Sequence, residues 1–404
     1  MSAHLFPLIQ ESVTDPAPAA VAETAVEQTA VMAELGSGTN IINEWLKLAP
    51  IPEFVPGWAI PLTAIMIGVA IVMAVVSLNA MAGTWLERKV SGHIQCRYGP
   101  MRAGWHGFLQ PLADGIKLML KEDMIPIGSD RVLFVMAPAL VLASVLGALA
   151  VMPLSPDFFF ADAPMGIFLI LALTSTTTIG VIMAGWASNS KWSVYGAMRE
   201  AAQVVAYEIP LGVSLLVPLI VAGTFNLIEV SEMQAGYFGI GGWLIWANPF
   251  MFPALILFFI AVLAESKRAP FDLPESESEL VSGFLTEYSG IRWSFFFMEE
   301  YAAMFLYCVV TAFFFLGGFN SPLTWLFEDG GLLPNAILWN ISAFITIVVK
   351  GYIGLFVMMW VRWTLPRLRI DQVMTMGYKY LTPISLLCVL GAGIWEWGKA
   401  AFLG

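Results

Sequence analysis

Charge is scarce in this chain. Only 12% of its 404 residues are Asp, Glu, Lys or Arg, about half the share a soluble domain carries. Cysteine is scarcer still: Cys96, Cys308 and Cys388 lie far apart with no CxxC pairing. Neither an iron–sulfur cluster nor a zinc site can be assembled locally from them. The three histidines, His4, His93 and His106, do not supply the pairs that bind haem across a membrane. There is no GxGxxG fingerprint and no P-loop. If the chain serves electron transfer, the cofactors are expected on other chains. The net charge of −11, with no basic stretch, argues against nucleic acid. The N-terminus has no Lys/Arg-led apolar core, so a signal peptide is not expected.

What fills the chain instead is hydrophobic sequence, 58% of all residues. In lipid every backbone group must be satisfied internally, which leaves helices or a closed barrel, and the continuous runs select helices. Eight runs stand near 58–83, 132–154, 165–187, 207–223, 249–264, 295–317, 334–360 and 379–397. The fourth and fifth are at the short end for a bilayer core of roughly 30 Å. The expected fold is therefore an all-α integral membrane protein of about eight transmembrane helices with structured amphipathic loops. Residues 1–57 hold seven acids against one lysine, Lys47, and read as a partly disordered acidic extension before a 58–404 membrane domain. Within the extension Ile41–Leu48 reads as a short interfacial helix.

Basic residues fall in alternate loops. Arg88, Lys89, Arg97, Arg102, Lys117, Lys121 and Arg131 lie in the first, Lys191 and Arg199 in the third. Lys267, Arg268 and Arg292 lie in the fifth, and Arg362, Arg367, Arg369 and Lys379 in the seventh. The second, fourth and sixth loops have none. By the positive-inside rule the odd loops are cytoplasmic and both termini lie on the far side.

Two cytoplasmic segments carry most information. The second half of the first loop is amphipathic, with Phe108, Leu112, Ile116, Met119 and Leu120 apolar and Asp114, Lys117 and Lys121 polar. A helix of this kind lies along a membrane surface. The fifth loop places six acids within 23 residues, Glu265, Asp272, Glu275, Glu277, Glu279 and Glu287, between two spans. Asp272 with Glu275 has the spacing of a helix N-cap box. Crowded carboxylates beside lipid raise one another's pKa and serve as proton relays. Glu208 precedes Pro210, which leaves the Ala206 carbonyl without its helical partner. Glu299, Glu300 and Lys350 sit inside spans, where an unpaired charge costs a few kcal/mol. For Lys350 a buried ion pair and a functional role weigh equally.

Six motifs occur in order over residues 85–376: ERKVSGHIQCRYGP, GFLQPLADGIKLMLKED, GWASNSKWSVYGAMREAAQVVAYEIP, ESKRAPFDLPESESELVSGFLTEYSG, FFFMEEY and RWTLPRLRIDQVM. Together they resemble the membrane subunit of respiratory complex I (NADH:quinone oxidoreductase) that abuts the peripheral arm, called the H subunit in bacteria. The resemblance implies a quinone tunnel and part of the reduction chamber, coupled to proton translocation through antiporter-like membrane subunits. It implies a bacterial inner membrane and membrane lipids as surroundings. It also implies partner subunits, the peripheral quinone module and small and antiporter-like membrane chains, that carry FMN and iron–sulfur clusters while this chain binds no redox cofactor.

Carried over by position, Arg88, Lys89, Arg97, Pro100 and Arg199 match tunnel and chamber motifs. Asp114, Lys117, Glu208, Glu275, Glu277, Glu279, Glu287 and Glu300 match the coupling path. Asp272, Arg362, Arg367, Arg369 and Asp371 match structural parts of the motifs. Met101 and Ala103 depart from the usual Asn and Val, and Glu200 stands where a small residue is common. The extension has no counterpart in typical members. Two alternatives stay open: the related membrane subunit of a group 4 hydrogenase complex, which handles no quinone, and a stand-alone ion transporter.

Overall fold

A computed structural model of the chain describes residues 59–157, 159–160, 163–236, 239–274, 277–327 and 335–403. The acidic extension, its Ile41–Leu48 segment and Glu275 lie outside them. Among the described residues the structure is helical, with no strand. Seven of their helical stretches are long and apolar enough to cross a membrane by length and composition, and Met251–Glu265 is a shorter apolar helix of 15 residues. These match the eight expected runs.

The long helices are α1 (Ala59–Ile94), α3 (Arg131–Val151), α4 (Gly166–Ala187), α5 (Lys191–Ala222), α7 (Met251–Glu265), α9 (Gly290–Phe315), α11 (Ala336–Thr364) and α13 (Thr382–Leu403). Shorter pieces lie between them: α2 (Gln110–Leu120), α6 (Leu227–Met233), α8 (Glu277–Leu280), α10 (Pro322–Phe327) and α12 (Ile370–Thr375). A π-helical turn, Met376–Leu381, joins α12 to α13. Side-chain caps mark several starts. Asp130 accepts from Val132 N at 3.1 Å, Asn226 from Ile228 N at 2.9 Å, and Asn335 from Ile337 N at 3.1 Å. Gly223, at φ 70°, ends α5 in the left-handed conformation that suits glycine.

Two expectations need correction. The fourth span is not short: α5 begins at Lys191, well before the expected 207, and runs 32 residues. One face of its first half packs against protein, with Glu200 and Gln203 buried. Pro210 does not end it; the Ala206 carbonyl it releases faces Gly377 of the π turn, where a Cβ would come within 3.1 Å. Asp272 does not cap a helix either. The helix in that loop is Glu277–Leu280, and the Asp272 carboxylate pairs with Arg367 at 2.9 Å.

The core runs along α9, whose Phe313, Phe314 and Phe315 are fully buried. It packs on α1, α3, α7 and α11, while α3 lies along α4, and α5 lies against α4, α7 and α13. Lys350 on α11 is half-buried beside this core, and its hydrogen bonds among the described residues go to backbone carbonyls. Its ammonium donates to the carbonyls of Leu316 at 2.6 Å, Gly318 at 2.8 Å and Asn320 at 2.7 Å. An ammonium has three hydrogens to give, and here they satisfy the orphan carbonyls after α9, where the helix dipole favours a cation.

Candidate functional site

The first span does not stop at the membrane surface. At 1.5 Å per residue, α1 is about 54 Å long, so its end carries Glu87, Arg88 and Lys89 past the hydrocarbon on a rigid helix. The amphipathic α2 then folds back against α1 and α9. No α2 residue is buried, which is expected of a helix that lies on a surface.

Between α1, α2 and α9 is an apolar cavity of about 210 Å³, walled by Ala80, Met81, Leu112, Ile116, Met119 and Met298 among others. A second cavity of about 300 Å³ adjoins it, and its lining is charged: Glu87, Arg88, Lys267, Arg268, Asp272, Glu300 and Arg362. Thr84, Arg88 and Phe297 line both. An apolar cavity and a charged one therefore lie side by side, with three wall residues in common.

At the boundary Arg88 pairs with Asp114 at 2.6 Å. Gln110 also donates to that carboxylate, at 3.2 Å. Burial pushes the Asp114 carboxyl up. The hydrogen bond and charge of Arg88, with Gln110 and Lys117, outweigh it and hold Asp114 below the usual carboxylate range.

In the chamber, Arg268 sits between two acids, 3.0 Å from Glu87 and 2.6 Å from Glu300. Arg362 reaches Glu87 as well, and the Tyr301 hydroxyl donates to the same carboxylate. The Tyr301 ring lies 4.8 Å from the Arg268 guanidinium, a cation–π contact. Burial pulls the Arg268 guanidinium down, but Glu300, Tyr301 and Glu87 hold it above its ordinary value.

The neighbouring cation, Lys267, turns the other way. Its backbone sits at φ 57° just past α7. Lys267 N bonds the Ala264 carbonyl at 3.2 Å and Arg268 N the Leu263 carbonyl at 3.4 Å. This is a Schellman ending, with lysine in the left-handed position that glycine usually takes. The position costs an L-residue about 1–2 kcal/mol, and it sends consecutive cations to different carboxylates. Lys267 lies 2.7 Å from Glu200 on α5 and 3.5 Å from Glu299 on α9.

Beyond them the acids continue. Tyr307 donates to Glu265 at 3.4 Å, and Glu265 lies within electrostatic reach of Glu208, Lys267 and Glu200. Glu208 accepts from Ser175 and stands exposed on the helix surface. Named in order, Glu87, Glu300, Glu299, Glu200, Glu265 and Glu208 each lie within electrostatic reach of the next, from the charged cavity to an exposed position on α5. Among the described residues no group of three or more His, Cys, Asp or Glu is placed to hold a metal ion.

Of the residues singled out in the sequence, Arg88, Asp114, Asp272, Glu300 and Arg362 line the two cavities. Lys117 stands exposed beside Asp114. Lys89 lies elsewhere, in a groove with His93, Phe356 and Trp360, and donates to Met101 Sδ at 3.0 Å. Arg97 is exposed and bonds Gln95 at 2.5 Å, and Pro100 is half-buried in the same turn. Arg199 pairs with Glu279 at 2.5 Å, away from both cavities. Glu277 opens α8, Glu287 is half-buried, and Asp371 is exposed in the first turn of α12. Arg369 is the N-cap residue of α12, its backbone N–H donating to Gln372 at 3.1 Å. Glu299 and Glu300 both face the interior, towards different cations.

Sequence reasoning assigned no role to Glu87, Lys267 or Arg268. The signal was present: each stands three or four residues past the expected end of a span, in the quoted ERK and ESKR motifs.

The chain matches the family model described as NADH dehydrogenase over residues 67–392. It is 41% identical to the H subunit of NADH-quinone oxidoreductase from Chlorobaculum tepidum, over 89% of this chain and 99% of that one. The H subunit from a Geobacillus strain is 43% identical, over 82% of this chain and 93% of its own. The H subunit from Bacteroides thetaiotaomicron is 40% identical, over 87% and 95%. The chain belongs to the NADH dehydrogenase family, alongside these H subunits of NADH-quinone oxidoreductase.

Proposed function

We propose that this chain, as a membrane subunit of an NADH-quinone oxidoreductase, forms the quinone-access tunnel and part of the chamber in which quinone is reduced. It couples that reduction to proton translocation. One observation carries the reading: Thr84, Arg88 and Phe297 are walls of both an apolar slot and a charged cavity. A quinone is built the same way, with an apolar isoprenoid tail that favours the bilayer or an apolar slot and a polar head that gains charge on reduction.

The slot between α1, α2 and α9 holds the tail against Met81, Leu112, Ile116 and Met298. Arg88, held by Asp114, stands where the head passes. Two electrons and two protons convert quinone to quinol, and the electrons arrive from FMN and iron–sulfur clusters on partner subunits. This chain contributes charge. Fixed guanidinium groups stabilise a transient quinone anion because they need no reorganisation when it forms. Arg268 and Arg362 supply them.

An anion in the chamber alters the balance that Glu87 and Glu300 strike with Arg268. Low dielectric makes such a change felt several residues away. The response runs through Glu265 and Tyr307 to exposed Glu208, where small and antiporter-like membrane subunits would receive it. The fifth loop, with its Arg199–Glu279 bridge, meets the peripheral quinone module, and its acids Glu275, Glu277, Glu279 and Glu287 belong to the coupling path. This orientation keeps odd loops cytoplasmic in a bacterial inner membrane, with lipid around the spans.

The test is Glu300→Gln in the intact complex. NADH:quinone reduction or protons moved per quinone is expected to fall while the complex still assembles. Wild-type values for both would contradict the proposal.

A further inference from the structure

Glu200 and Glu299 are the two most deeply buried acids of the network, with side chains 1% and 5% exposed. They lie on different helices, α5 and α9, and meet only through Lys267. Its ammonium is 2.7 Å from Glu200 Oε1 and 3.5 Å from Glu299 Oε2. Among the described residues this cation therefore sits between two carboxylates. A buried charge left unbalanced is costly, and the set becomes neutral by holding one proton.

A second observation is independent of this count. Glu200 Oε2 has no hydrogen-bond partner among the described residues. The same is true of Gln203 Oε1, one turn further along α5, and of Glu265 Oε2 at the end of α7. The Gln203 amide nitrogen donates to the carbonyl of Ala264, the residue before Glu265, at 2.7 Å, which holds the Gln203 amide at the end of α7. Three buried oxygens without a donor require protons or water. Arg268 does not supply one, because it is committed to Glu87 and Glu300.

We propose that Glu200, Lys267 and Glu299 form a proton-binding site that stores one proton midway along the carboxylate path and exchanges it with Glu265 through water held at Gln203. The proposal rests on the coupling role given above and adds a station to it. On loading, an O–H bond forms on one carboxylate and the Lys267 ammonium pairs with the other. On discharge that O–H bond breaks, its proton passes to the water, and the water gives a proton to the Glu265 carboxylate. Glu265 ends as a neutral acid and the triad regains one excess negative charge. Lys267 keeps its three protons throughout, and no electron moves. The left-handed backbone at Lys267 fits this role, since strain of that kind persists where a side chain must be aimed. A purely structural ion pair would tolerate removal of all three charges together.

The experiment uses the intact complex in sealed vesicles. Protons moved per quinone reduced and redox-difference infrared spectra are compared for wild type, Glu299→Gln and the charge-free triple variant Glu200→Gln, Lys267→Met, Glu299→Gln. Glu299→Gln keeps the side-chain volume, so it reads the site even if the triple variant does not assemble. The expected result is a lower proton ratio together with loss of a protonated-carboxyl stretching band. A wild-type ratio, or a retained band, in an assembled variant overturns the proposal and leaves Lys267 a structural clamp. A wild-type complex that moves no protons on quinone reduction would instead sink the coupling reading beneath it.

Discussion

Arg268 Nη1 lies 3.0 Å from Glu87 Oε1 although 181 residues separate them in sequence. The pair ties the end of the first span to the turn after α7, and Glu300 on the core helix closes the set from the other side. Replacing Arg268 with Leu strands the buried Glu300 carboxylate and leaves Glu87 to Arg362 and Tyr301 alone. A loss of about 3–5 kcal/mol is expected, as for any buried pair broken on one side. The readout is the yield and melting temperature of the assembled complex. Arg268→Lys should recover only part of the loss, since an ammonium restores the charge without the planar fork of donors a guanidinium presents.

Lys350 calls for the opposite outcome. Its three bonds are to backbone carbonyls, so its work is to finish α9. Lys350→Met should cost about 1–3 kcal/mol by leaving buried acceptors unpaired, measured as a lower melting temperature. The ratio of protons to quinone should stay at the wild-type value; a changed ratio would put Lys350 in the coupling path.

The Arg88–Asp114 bridge sets how firmly α2 closes over the slot. Asp114 is held below its ordinary value of 3.8. A depressed carboxylate contributes stability that is present above that value and lost as pH falls through the lower, folded one. Protection of α2 against hydrogen exchange should therefore be level through neutral pH and drop only below about pH 4. With the two side chains 46% and 28% exposed, the bridge contributes less than about 1 kcal/mol. Asp114→Asn should accordingly leave the melting temperature unchanged within error.

Much of this fold was legible in the sequence because lipid imposes a simple rule: a run long and apolar enough becomes a helix. The short reading of the fourth span failed because Glu200 and Gln203 look like loop residues, yet protein rather than water surrounds them. Asp272 has the spacing of a cap, and only the position of Arg367, far along the chain, shows which partner wins. Arg88, Asp114 and Glu300 were found through motif position. Lys267 and Arg268 were missed as site residues because adjacent basic residues at a span end read as topology signals. Nothing local reveals that one turns to Glu200 and the other to Glu87; that divergence comes from a left-handed residue and from helices that meet only on folding.

The slot between α1, α2 and α9 is where the quinone tail must pass. Gly115 on α2 lines it, and a Cβ built there meets nothing within 4 Å, so a larger side chain fills the slot without displacing backbone. Glycine is also a poor helix former, and Gly115→Phe should leave α2 intact. The measurement is NADH:quinone reduction by Gly115→Phe membranes, with a long-tailed and a tail-less quinone side by side. The expected result is a drop of about tenfold for the long-tailed quinone, the effect of losing 1.4 kcal/mol of contact, with the tail-less one much less affected. Wild-type rates with the long-tailed quinone would contradict the path.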